Sequence, residues 1–222
     1  MKACIFDLDG TLLYTLESME HAGSRVLKEL GFSALPAENY RYYCGDGAEE
    51  LVRRILTDAG DRELEYFEKA ASLYRQYFSE DPLYQVQPYP DMENLLLTLK
   101  EQGMKLGVCS NKPHEATVAV IEKMFPGIFD TVTGQSPELA RKPAPDGALL
   151  TARKLGAEPQ ECLYIGDSGT DMKTGRAAGM YTVGVLWGYR DLEELEENGA
   201  DESVFAPADL LTLIERLQSE DR

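Results

Sequence analysis

Four short apolar runs punctuate the chain: ACIF at 3–6, KLGVCS at 105–110, CLYIGD at 162–167 and YTVGVLW at 181–187. Each is about the length of a strand and apolar enough to be buried on both faces, as central strands of a parallel sheet are. The stretch Phe129–Thr133 is a weaker fifth candidate. Between these runs the apolar spacing becomes helical. Asp91 is placed to cap a helix that carries Leu95, Leu96 and Leu99 and stops at Gly103. Pro145 suits the first turn of another, which carries Leu149, Leu150 and Leu155 and has Gly156 past its end. Strands alternating with helices predict an α/β fold built on a doubly wound parallel sheet.

One interval breaks this rhythm. From about Thr15 to Pro82 there is no strand pattern, only helical periodicity. Met19, Val26, Leu27 and Leu30 suit one helix, ended by Gly31. Leu51, Val52, Ile55, Leu56 and Ala59 suit a second, ended by Gly60, and Leu64, Phe67, Ala71, Tyr74, Tyr77 and Phe78 suit a third. The interval is long enough for a small bundle inserted after the first strand, with Pro88-Tyr89-Pro90 as the return hinge. Two domains are therefore expected: 1–14 with 83–222 as the sheet-bearing core, and 15–82 as a helical insertion.

Composition narrows the function classes. Of 222 residues, 43% are hydrophobic and 27% charged, and the net charge is 22 − 39 = −17. Nucleic acids and anionic membranes call for a basic footprint, which this chain lacks. An anionic substrate would have to be held by local cations or backbone N–H groups. The opening MKACIF is too short in its apolar part for a signal peptide, and no run reaches membrane-spanning length. Cys4, Cys44, Cys109 and Cys162 lie far apart, without a C-x-x-C pair. They are expected as buried free thiols of a cytoplasmic protein.

The chemistry concentrates where the first apolar run ends, in FDLDGTL at 6–12. Side chains at i and i+2 of an extended segment point the same way, so Asp7 and Asp9 should face a common space. At ~4 Å and an effective dielectric near 20, two such charges repel by about 4 kcal/mol. An EF-hand loop is excluded, because that frame needs Gly at its sixth position and Glu at its twelfth, where this chain has Leu12 and Ser18. Open parallel sheets carry functional residues at the carboxyl ends of their strands. Reading along the chain, the runs lead in turn to Asp7 and Asp9, then Ser110-Asn111-Lys112, then Arg141-Lys142-Pro143, then Gly166-Asp167-Ser168-Gly169-Thr170-Asp171. Each alone has an ordinary reading as a turn, a cap or a surface charge; their order at successive strand ends does not.

In that order FDLDGTL, CSN, the lysine of RKPAPD, and GDSGTD resemble the four motifs of the haloacid dehalogenase superfamily. The resemblance runs from Phe6 to Gly188-Tyr189 and is nearest to the phosphoglycolate-phosphatase-like branch, with a Rossmann-like core and a helical cap between the first two motifs. It implies that Asp7 is a nucleophile forming an aspartyl-phosphate. Asp9 would be the general acid and then base, with nearby negative charge moving its pKa in the needed direction. Asp7, Asp167 and the Asp9 backbone carbonyl would bind Mg²⁺, with Asp171 close by, so that the metal relieves the repulsion between Asp7 and Asp9. Ser110 and Asn111 would hydrogen-bond phosphoryl oxygens, and Lys142 would offset their charge.

Asp9 separates phosphoryl transfer from carbon–halogen cleavage, which has no leaving alkoxide to protonate. The expected activity is Mg²⁺-dependent hydrolysis of a small phosphate monoester such as 2-phosphoglycolate, a phosphorylated metabolite being the expected partner. A sugar phosphatase or sugar-phosphate mutase, using the same rim, is the alternative, and a catalytically silent binding module the alternative of another class. The Gly45-Asp46-Gly47 loop, just before a helix, could receive a substrate carboxylate or be a plain turn. Tyr14 stands where close relatives commonly have Asp. His21 and His114 are expected as solvated helix residues.

Overall fold

The first apolar run is strand β1, Ala3–Phe6, with all four residues buried. In the computed structural model of the chain, which describes residues 1–220, the chain then leaves through the two-residue β2 (Leu13–Tyr14). It returns through β3 (Gln87–Pro88), and the two pair as a small sheet of their own. Between them lie helices α1 (Leu16–Leu30), α2 (Tyr40–Tyr43), α3 (Ala48–Ala59) and α4 (Phe67–Glu80). After β3 come α5 (Met92–Glu101), β4 (Lys105–Pro113), α6 (His114–Met124), β5 (Thr131–Gln135) and α7 (Asp146–Leu155). The chain ends with β6 (Cys162–Gly166), α8 (Gly169–Ala177), β7 (Tyr181–Val185), α9 (Leu192–Glu197), β8 (Glu202–Val204) and α10 (Pro207–Glu220). Two units result: one of Met1–Leu13 with the chain from Pro88 onward, the other of Tyr14–Gln87.

The first unit holds a six-stranded sheet in the order β5-β4-β1-β6-β7-β8, parallel throughout. This is the expected doubly wound α/β architecture. β1 lies in its middle, with β4 on one side and β6 on the other, so the winding reverses around it. Such a reversal opens a crevice at the carboxyl ends of the strands. Register then fixes what meets there. Phe6 pairs with Val108 and with Ile165, so Asp7 emerges level with Cys109 of β4 and with Gly166, the last residue of β6. β8 has no counterpart among the apolar runs: three residues, two of them polar, at a sheet edge give little hydrophobic signal.

Local details depart from the sequence reading for identifiable reasons. Asp91 precedes α5 but has φ 60° and makes no side-chain capping bond. Pro145 occupies the cap position of α7 rather than its first turn. β5 begins two residues later than the Phe129–Thr133 pattern suggests, leaving Phe129 to pack edge-on against Phe6 and Phe125. His114 opens α6, and its Nδ1 accepts the Gly134 N–H at 3.2 Å. The four cysteines are free and buried.

In the second unit, α1 buries Met19, Ala22, Val26 and Leu27 along one stripe and ends at Gly31, whose φ is 82°. Gly23 in that stripe lies against the fully buried Tyr40 ring, where a Cβ would come within 2.6 Å. Leu64, expected in the third helix, lies before α4. The Asp61 carboxylate accepts the N–H groups of Glu65 and Tyr66 at 2.9 and 3.0 Å, which delays the helix to Phe67. The turn before α3 is stapled by Arg54. Its guanidinium donates to the carbonyls of Tyr42 and Tyr43 at 3.2 Å each and to Asp46 at 2.5 Å, and it pairs with Glu50 at 3.3 Å. Among the described residues, no helix is long and apolar enough to cross a membrane.

Candidate active site

Asp7 is buried at the end of β1, its N–H bonded to the Ile165 carbonyl at 2.8 Å. Its Oδ1 accepts from the Lys142 ammonium at 2.6 Å. Lys142 arrives from the loop between β5 and α7 and is itself buried, donating also to Asp171 Oδ1 at 2.7 Å and to the Cys109 carbonyl at 3.3 Å. Asn111, at the end of β4, holds that loop by its main chain. The Asn111 Oδ1 accepts from the Lys142 N–H at 2.9 Å, and the Nδ2 donates to the Lys142 carbonyl at 3.3 Å. Asn111 therefore acts on the lysine's position, a role that the sequence alone does not suggest. Ser110 is buried beside it; its Oγ accepts the Lys112 N–H at 3.2 Å, which leaves the hydroxyl a proton to donate.

The β6 end supplies the other carboxylates. Asp167 comes directly after the strand, with Oδ2 accepting the Tyr189 N–H at 2.8 Å and Oδ1 the Thr11 hydroxyl at 3.3 Å. Two glycines let the backbone close on it. A Cβ on Gly10, where φ is 92°, or on Gly188 would overlap the Asp167 side chain. Ser168 caps α8, and Asp171, in its first turn, is almost fully buried, with Oδ2 accepting from Ser168 Oγ at 2.5 Å.

Asp7, Asp167 and Asp171 each offer an oxygen, all within 4.8 Å of one another. Burial raises the Asp7 carboxyl well above its ordinary range, with Asp171 adding to the effect and Lys142 opposing it. Burial and then Asp171 raise Asp167 to about 7. Burial alone would lower the Lys142 ammonium, but Asp171 and Asp7 reverse this and hold it well above the usual lysine range. Three crowded carboxylates thus outnumber the ammonium that touches two of them, an excess of negative charge lined with hard oxygen donors. That donor set fits a metal cation.

Asp9 stands apart from this cluster. Its two carboxylate oxygens accept from the Lys112 ammonium at 2.8 and 2.7 Å, with the lysine side chain 8% and the aspartate side chain 15% exposed. The expected repulsion between Asp7 and Asp9 is thus met by a separate lysine for each. Sequence reasoning places Lys112 on the rim but assigns it nothing. The available signal is its i+2 spacing from Ser110, which in an extended strand end puts both on one side.

The model of the family described as haloacid dehalogenase-like hydrolase matches residues 4–185. The chain belongs to that family. Among curated relatives, the phosphoglycolate phosphatase of Aquifex aeolicus (strain VF5) is 32% identical, with 97% of each chain covered. That of Neisseria meningitidis serogroup A is also 32% identical, over 98% of this chain and 94% of the relative. A crystal structure of a predicted phosphoglycolate phosphatase from Haemophilus somnus superposes with a TM-score of 0.88 at 25% identity, covering 96% of this chain and 98% of the other. For a member of this hydrolase family, the buried acidic cluster at the switch point is the natural place for a metal.

Proposed function

We propose that this hydrolase is a phosphatase that uses Mg²⁺ to cleave a small phosphorylated acid, 2-phosphoglycolate first among the candidates, through an aspartyl-phosphate on Asp7. Phosphate monoester hydrolysis follows from the family and from relatives of matching length that are named phosphoglycolate phosphatases. The observation that carries the mechanism is the buried contact of Asp7 with Lys142 inside the acidic cluster at the carboxyl end of β1. A carboxylate there can attack phosphorus while the lysine offsets charge on the phosphoryl oxygens.

In this reading an Asp7 oxygen displaces the alcohol, and Asp9 donates a proton to the departing oxygen. Asp9 then takes a proton from water as that water attacks phosphorus, releasing phosphate and restoring Asp7. Ser110 donates its hydroxyl proton to a phosphoryl oxygen, Asn111 fixes Lys142, and Asp171 orients the lysine's ammonium. Asp7, Asp167 and the Asp9 carbonyl would hold Mg²⁺, whose charge, when bound, lets an anionic carboxylate approach an anionic ester. The partner is a small phosphorylated metabolite rather than nucleic acid or membrane, consistent with a net charge of −17.

Purified protein should release phosphate from 2-phosphoglycolate with Mg²⁺, stop when the ion is chelated, and resume when it is restored. Asp7→Asn should lose all turnover while keeping its circular dichroism spectrum. More than a trace of activity in that variant would rule out the covalent step. A wild-type preference for sugar phosphates would instead move the substrate and leave the chemistry standing.

A further inference from the structure

Lys112 is more tightly built into the rim than a surface cation needs to be. Its N–H donates to Ser110 Oγ at 3.2 Å, and its carbonyl accepts from Thr117 Oγ1, in α6, at 3.1 Å. Across the sheet, Gly134 of β5 leaves room for that carbonyl, since a Cβ there would come within 2.8 Å of it. The main chain on both sides of the side chain is therefore pinned, and the ammonium reaches both oxygens of Asp9 from a site that is itself mostly buried.

Asp9 needs such a partner. Its backbone is set by the tight turn in which Thr11, Leu12 and Leu13 donate to the Leu8 carbonyl at 3.4, 3.1 and 3.1 Å, and Gly10 donates to that of Leu13 at 2.9 Å. That turn fixes the Cα–Cβ direction but leaves the carboxyl free to rotate about two bonds. A proton donor must lie within hydrogen-bond reach of the departing oxygen, and an error of about 1 Å can cost 100-fold. We propose that Lys112 is the positioning residue for Asp9, holding its carboxyl where it serves the leaving group, distinct from Lys142, which serves the phosphoryl group.

This inference rests on the reading of Asp9 as acid and base, and the two can be tested separately. The leaving group is the discriminating variable. An alkyl ester such as 2-phosphoglycolate needs its oxygen protonated, whereas p-nitrophenyl phosphate releases a stable anion and does not. Rates should be measured on both esters for the wild type and for Asp9→Asn, Lys112→Met and Lys112→Arg, with melting temperatures to verify folding.

Lys112→Met should lower kcat on the alkyl ester about 100-fold and on the aryl ester less than about 10-fold, with KM for each changed only a few-fold. Lys112→Arg keeps the charge and should recover part of the alkyl-ester rate; it also serves if Lys112→Met does not fold. If Asp9→Asn is selective against the alkyl ester and neither lysine variant is, the inference is wrong and the mechanism survives. A loss expressed mainly in KM, or equal on both esters, overturns it as well, because it assigns Lys112 to phosphate binding or to structure. If Asp9→Asn itself shows no selectivity, the assignment of Asp9 fails and the inference falls with it.

Discussion

At the scale of single residues, the site divides charge between two lysines. Lys142 joins Asp7 to Asp171, and Lys112 holds Asp9. Asp167 is served differently, its carboxyl accepting the Tyr189 N–H and the Thr11 hydroxyl. Its rise to about 7 from the ordinary 3.8 has a consequence for stability. With an acid raised on folding, the folded chain keeps a proton that the unfolded chain has already released. On this contribution, stability is full below about pH 4 and is lost as pH rises towards 7. In chelator, the melting temperature should therefore fall across that window, and Asp167→Asn should flatten the fall. Added Mg²⁺ should raise the melting temperature more at pH 8 than at pH 6, since protons compete with the ion for the same oxygens. A chelated wild type whose pH dependence matches that of Asp167→Asn would contradict this crowding of charge around Asp167.

At the scale of elements, the ends of β1, β4 and β6, the FDLDGTL turn and the loops after β5 and β7 build the site, and the turns and loops are its sensitive parts. The loop after β7 is tied to the FDLDGTL turn by the Trp187 indole, which donates to the Thr11 carbonyl at 2.9 Å. Gly188, in the same loop, would bring a Cβ within 2.6 Å of the Gly10 carbonyl and into the Asp167 side chain. Gly188→Ala should thus push Asp167 aside before it unfolds anything. The expected result is a rise of about tenfold or more in the Mg²⁺ concentration giving half-maximal rate, with a loss of about 1–3 kcal/mol in stability. Unfolding in denaturant and Mg²⁺ titration of activity measure the two effects separately. An unchanged Mg²⁺ requirement would mean that this loop does not set the position of Asp167.

For the whole molecule, a net charge of −17 opposes the approach of an anionic substrate. The cations that receive it act over short distances, while the global field reaches about 10 Å at 0.1 M salt. Raising ionic strength from about 10 to 150 mM should therefore increase kcat/KM for 2-phosphoglycolate a few-fold and leave kcat unchanged. A steady decrease in kcat/KM over that range would mean that the local cations already dominate the encounter.

The sequence by itself determined the class of fold and which residues gather at the rim. Buried parallel strands are written as continuous apolar runs, and the residues at their ends must surface at one edge, so Asp7, Ser110 and Asp167 were legible as a group, and Lys142, in the loop after β5, joined them by its order in the motifs. The helical insertion was legible too, because its period changes from that of strands to that of helices. Only the tertiary structure decided which charge meets which. Lys112 and Asp9 are 103 residues apart, and Lys142 and Asp7 135 apart, and no local pattern encodes such pairs. The same is true of Asn111, whose amide turns to the Lys142 main chain, and of Arg54, whose guanidinium gathers three separate groups around one turn. Side-chain periodicity reports which face is buried; partnership depends on where the folded chain brings those faces together.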